Sequence, residues 1–149
     1  MRSARNVATV GALTTLVLGA TAAFCTTASA APNVTPQGVC GGAYKTVNSV
    51  PVGSLGTAYL TYNSANGKNC VATIRTNPGT AKDMSTYVYV SDTDDWAGDS
   101  GNYTSYAGPA YVYGKGHCVS WGGNISNVYV SVENSNCARL KEHRVTEVR

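Results

Sequence analysis

Apolar and polar residues alternate with a period of two along most of the chain after residue 56. The runs "TAYLTYN", "NCVATIR", "MSTYVYVS", "PAYVYG", "HCVSWG" and "NVYVSVE" are short, rich in Val, Tyr, Thr and Ile, and separated by Gly, Asn, Asp, Ser and Pro. That pattern predicts strands near residues 57–63, 68–75, 84–91, 109–114, 117–122 and 127–133, with a weaker one in "GAYKTVNSV". Only the tail "ARLKEHRVTEVR" has any helical period. The expected class is all-β: one domain over residues 38–137, with about seven short strands in a small β-sandwich or open barrel. Residues 31–37 read as a flexible lead-in and residues 138–149 as a charged C-terminal tail.

Turn chemistry refines this picture. Asn66-Gly67 lies between two alternating runs and predicts a hairpin. The stretch "YVYGKGHCVSWGG" at residues 111–123 raises a sharper question, since a Gly-rich loop can cradle an anion and a His beside a Cys can make a nucleophile. It repeats the plan of the first hairpin: tyrosines on one strand, a glycine turn, then a strand opening Cys-Val. It therefore reads as a second hairpin of the same kind, with Gly114 and Gly116 chosen for positive φ. On that reading Cys118 is a structural sulfur, and His117, its neighbour on the strand, points to the opposite face and cannot serve it as a base.

The first thirty residues have Arg2 and Arg5, an apolar run and an Ala28-Ser29-Ala30 site, the three parts of a signal peptide. Cleavage there predicts a secreted protein with no membrane span, and takes Cys25 with the leader. It also leaves nine Lys/Arg against eight Asp/Glu, and between residues 31 and 137 the balance is five against six. No clustered basic face remains to bind nucleic acid.

Cys40, Cys70, Cys118 and Cys137 form an even set in a chain expected to be exported, which predicts two disulfides. Zinc is the rival, but the separations of 30, 48 and 19 contain no close pair, and only His117 and His143 could join the cysteines. Neither a metal nor a cofactor is expected. Of the three possible connectivities, the sequential one, Cys40 with Cys70 and Cys118 with Cys137, is the expectation.

The segment "SDTDDWAGDSGNY" carries Asp92, Asp94, Asp95 and Asp99 around Trp96 and reads as a loop. Paired carboxylates could serve glycoside hydrolysis, and acidic loops can hold calcium, but Trp96 and Ala97 stand where an EF-hand needs an oxygen ligand and a glycine. A solvated turn is the plainer account. "GDSG" matches the serine-protease nucleophile motif in four letters, without that family's His and Asp partners. No catalytic residue is assigned.

On the individual strands valines fall on one side and tyrosines on the other, with Tyr87, Tyr89, Tyr111, Tyr113 and Tyr129 opposite Val88, Val90, Val112, Val128, Val130 and Val132. Cross-strand stacking alone could account for the tyrosines. Trp96, Tyr87, Tyr89, Tyr111 and Tyr113 are nonetheless the candidate ligand-binding residues, because an aromatic ring offers sugars or another chain a flat apolar body beside polar groups.

The motifs "TAYLTYNSANGKNCVATIR" and "SGNYTSYAGPAYVYGKGHCVSWGG", with flanking "GVCGGAY" and closing "NSNC", resemble the spore-associated protein A family of streptomycetes and related filamentous actinobacteria. The resemblance spans residues 38–137 and includes the four cysteines; the charged tail departs from it. It implies a small exported protein associated with spores or aerial growth, and supplies no catalytic residues. Two functional classes follow. One is a non-catalytic spore- or cell-surface protein with a structural or binding role, whose partner would be a cell-wall or spore-surface glycan or protein. The other is a secreted inhibitor of an amylase or protease, which would need a protruding loop such as the one expected around Trp96.

Overall fold

The computed structural model describes residues 33–137, so the leader, Cys25 and the charged tail lie outside the described residues. Two four-stranded antiparallel sheets pack face to face as an open sandwich. The first, sheet A, has the order β1-β2-β3-β6, formed by Lys45–Val52, Gly56–Asn63, Lys68–Arg75 and Tyr106–Tyr113. The second, sheet B, has the order β5-β4-β7-β8, formed by Asp95–Tyr103, Lys82–Val90, Val119–Ile125 and Val128–Ser135.

Period-two alternation fills the space between the sheets. Leu60 from β2, Val71 from β3, Met84, Val88 and Val90 from β4, Ala110 and Val112 from β6, and Trp121 and Ile125 from β7 make one buried cluster. Trp121 is its largest member, and its indole N–H donates to Ser135 Oγ at 2.9 Å, so the one polar atom of the ring is satisfied. Strand β3 is buried on both faces. Its outer side, Cys70, Ala72 and Ile74, packs with Cys40 and Tyr44 in a second cluster.

That second cluster accounts for the short helix α1, Pro36–Cys40, in a segment expected to be partly a flexible lead-in. Thr35 caps it by accepting from the Gly38 N–H at 3.0 Å, and Pro36 occupies the first turn, where the missing N–H costs nothing. The Cys40–Cys70 disulfide pins the helix against sheet A, and the Tyr111 hydroxyl donates to the Cys40 carbonyl at 2.8 Å. The other disulfide joins Cys118 to Cys137, so the sequential connectivity holds. All four sulfurs are thereby committed to structure.

The first expected hairpin is present. Asn63 pairs with Lys68, Gly67 takes φ 72°, and the Asn63 and Asn66 side chains accept from the Ala65 and Lys68 N–H groups inside the turn. The second is a different object. β6 pairs with β3 in sheet A, whereas β7 pairs with β4 and β8 in sheet B, so residues 114–118 cross from one sheet to the other. Local turn signals cannot distinguish a hairpin from such a crossing, because both need Gly116 at positive φ, here 89°. Gly114 serves packing instead: a Cβ there would lie 2.1 Å from the Asn69 side-chain oxygen. His117 belongs to this crossing and not to a strand, and its Nδ1 sits 2.9 Å from an Asp92 carboxylate oxygen.

The described residues hold eight strands because the acidic segment expected to be a loop is largely strand β5. Its sequence is poor in β-formers, yet β4 pairs with it through nine residues, from Lys82 opposite Tyr103 to Val90 opposite Asp95. A well-formed neighbour imposes extension on a segment whose own propensity is weak. β5 is an edge strand, and the Asp99 carboxylate ties it to the opposite sheet by accepting from the Gly108 N–H at 2.7 Å, while the Tyr103 hydroxyl of its own strand donates to it at 2.6 Å.

Candidate aromatic face on the second sheet

Because Val88 and Val90 point into the core, Tyr87 and Tyr89 point out of sheet B. The register then places their neighbours. Tyr89 stands between Trp96 and Ser120, Tyr87 between Gly98 and Gly122, and Ser85 between Ser100 and Asn124; Gly122 faces Ser131 and Asn124 faces Tyr129 on β8. The outer face of sheet B therefore carries Trp96, Tyr87, Tyr89 and Tyr129 among serines, two asparagines and two carboxylates, Asp83 and Glu133.

Two of these rings lie over glycines. The Tyr87 hydroxyl donates to Ser131 Oγ at 2.9 Å, and to reach β8 its ring must pass over Gly122, where no side chain stands in the way. Trp96 lies along its own strand over Gly98, so that a Cβ on that glycine would come within 2.7 Å of the indole. The indole is nevertheless 66% exposed, and Tyr129 is 73% exposed. Each glycine removes the side chain that would otherwise hold the ring upright.

Hydrogen bonds hold the two tyrosines of β4. Tyr89 donates to Asp94 at 2.6 Å, and that bond raises its pKa above the ordinary phenol value. Ser131 passes the Tyr87 bond on to Glu133, and the Ser131 and Ser120 hydroxyls hold the Glu133 carboxyl below the usual carboxylate range. Asn124 is buried beneath the face, accepting from Ser85 and donating to Asp83 at 2.8 Å. A shallow groove of about 310 Å³ runs between Trp96, Tyr87 and Ser85. It shares Gly98 and Asp99 with a cleft of about 590 Å³ at the β5–β6 edge, lined also by Tyr103, Tyr106 and Pro109.

The five candidate ligand-binding residues thus divide. Trp96, Tyr87 and Tyr89 share the outer face of sheet B, while Tyr111 and Tyr113 lie on the outer face of sheet A, on the opposite side of the sandwich. The alternation is correct on the strands that carry these tyrosines, but it cannot say which sheet a strand joins. Tyr111 props the helix and packs against Tyr44, with ring centroids 5.5 Å apart; burial raises its pKa. Tyr113 leans on Gly67. Sequence reasoning did not assign Tyr129, Ser131 or Glu133 to a site, although Tyr129 was legible as an outward residue of "NVYVSVE".

The four aspartates do not converge. Asp92 meets His117, Asp94 meets Tyr89, Asp95 accepts from Thr93 and Asp99 holds Tyr103 and Gly108. Among the described residues no three His, Cys, Asp or Glu side chains are grouped to hold a metal ion. In "GDSG", Ser100 is an outward strand residue opposite Ser85.

No protein-family model and no solved structure matches this chain. It is 48% identical over 125 residues to "Spore-associated protein A" of Streptomyces coelicolor, an alignment covering 84% of this chain and 80% of that protein.

Proposed function

Because this chain belongs to the spore-associated protein A family, we propose that it is a secreted, non-catalytic protein of the spore or cell surface that attaches to an envelope polymer through the outer face of sheet B. The observation that carries this reading is the pair of rings, Trp96 and Tyr87, laid over Gly98 and Gly122 with hydroxyls and carboxylates around them. A flat exposed aromatic surface with a polar rim suits contact with a sugar or protein surface. The signal-like leader and the two disulfides fit an oxidising, extracellular location. The alternative reading as a hydrolase inhibitor rested on a protruding loop, and Trp96 instead sits on an edge strand against its sheet.

Retention on purified spores and on isolated cell walls tests the proposal. The protein should co-sediment with one or both and leave a panel of proteases and amylases uninhibited. Trp96→Ala should release it while preserving its far-UV spectrum. Failure to sediment with either material, or potent inhibition of a hydrolase, would sink the proposal.

A further inference from the structure

We infer that the outer face of sheet B is a binding track for an extended, uncharged polysaccharide with flat, equatorially linked sugar rings, such as a β-1,4-linked glucose or N-acetylglucosamine chain. This names the ligand class for the attachment face proposed above and rests on that reading.

Three observations point to this class. The first is the layout of three outward rings, of which Trp96 and Tyr129 are exposed and Tyr87 is half-buried. Trp96 is on β5, Tyr87 on the adjacent β4 one cross-strand row further along, and Tyr129 on β8 one row beyond that. The three lie on one diagonal across the sheet. From Trp96 to Tyr129 the diagonal crosses three strand spacings and four residues along the strands, about 20 Å, or roughly four sugar rings of an extended chain. A monosaccharide would fill a quarter of it.

The second is ring attitude. Tyr87 is drawn down across Gly122 by its bond to Ser131, and the indole of Trp96 lies over Gly98. An indole lying along its strand and a phenol reaching across the sheet supply apolar ring surface on which the axial C–H groups of an equatorially linked sugar can rest. The hydroxyls of Ser85, Ser100 and Ser131 stand beside the track for the sugars' own hydroxyls. The groove between Trp96, Tyr87 and Ser85 lies beside these rings.

The third is charge. Asp83 and Glu133 lie on this face and Asp94 at its margin. Of the described lysines and arginines only Lys82 is on a strand of sheet B. Alternation puts it on the side of Met84, and it lines a separate cavity with Arg75 and Leu55. A face carrying carboxylates and no cation repels uronic-acid or phosphate polymers and leaves uncharged ones unopposed.

The test measures depletion of the purified protein by insoluble cellulose, chitin and a polygalacturonate gel, and calorimetric affinity for cellohexaose and chitohexaose against the corresponding disaccharides. Binding to at least one neutral polymer is expected, with none to polygalacturonate at low salt. The preferred hexasaccharide should bind at least roughly tenfold more tightly than its disaccharide. Trp96→Ala and Tyr129→Ala should each weaken hexasaccharide binding several-fold to tenfold, Trp96→Phe should keep most of it, and Tyr113→Ala on sheet A should change nothing. Thermal melts confirm that each variant is folded.

The inference is overturned by absence of binding to both neutral polymers, by equal affinity for disaccharide and hexasaccharide, by preference for polygalacturonate, or by intact binding in Trp96→Ala. Spore or wall retention without neutral-polysaccharide binding removes the ligand class and leaves the attachment reading standing. Polysaccharide binding without retention on spores or walls does the reverse.

Discussion

The protein has two tryptophans, and the structure gives them opposite duties, which makes them a test of the argument. Trp96 is 66% exposed on an edge strand, whereas Trp121 is fully buried between the sheets. A tryptophan buries at most about 250 Å². Trp96 covers about a third of that, on the order of 80 Å², and at about 25 cal/mol per Å² its removal costs no more than about 2 kcal/mol. Part of its cover comes from Gly98, two residues along its own strand, a contact an unfolded chain partly retains, so a loss of about 1 kcal/mol is the expectation for Trp96→Ala. Trp121→Ala removes the largest side chain of the core, leaves a cavity bounded by Val88 and Val132, and strips Ser135 of its donor. Such changes cost about 3 to 5 kcal/mol.

Urea denaturation followed by far-UV circular dichroism measures both. For a domain of this size Trp96→Ala should lower the melting temperature by about 5 °C and Trp121→Ala by about 15 °C or more. In the Trp121→Phe variant the remaining indole should emit at long wavelength and be readily quenched by iodide, and in Trp96→Phe the reverse should hold. If Trp96→Ala destabilises the protein as much as Trp121→Ala does, Trp96 is a structural plug and the binding face loses one of its three rings.

Two other outcomes follow from the structure. Cys40, Cys70, Cys118 and Cys137 should give no thiol titre in denaturant before reduction, and replacing Cys40 and Cys70 together by serine should cost about 3 to 4 kcal/mol for a separation of 30 residues. That loss should come with faster amide exchange in α1, and unchanged stability would contradict the stapled helix. Glu133 has its pKa lowered by the Ser131 and Ser120 hydroxyls, so it contributes stability above the carboxylate's unfolded pKa and loses it as pH falls through the carboxylate range. Glu133→Gln should therefore flatten the decline of the urea midpoint between about pH 5 and pH 3; a profile parallel to the parent's would show that those bonds do not persist in solution.

Local sequence was enough for the strands whose side chains declare a buried and an exposed side. "TYVYV" and "AYVY" could only be extended with valine inward, and the Asn66-Gly67 turn and the even cysteine set were equally local signals. Three matters needed the tertiary structure. "DWAGDSGNY" has neither apolar alternation nor β-propensity, and it is a strand because β4 offers it a complete ladder of backbone partners. "YGKGHC" is a crossing between sheets and not a hairpin, since a glycine turn permits either path and only the pairing of β6 with β3 and of β7 with β4 selects one. The tyrosines separated for the same reason. Period-two alternation sorts side chains to one side or the other of a strand, but the strand order of the sandwich decides which outer sides become one surface. It joined Trp96, Tyr87 and Tyr89 with Tyr129, and it sent Tyr111 to hold the helix on the far side.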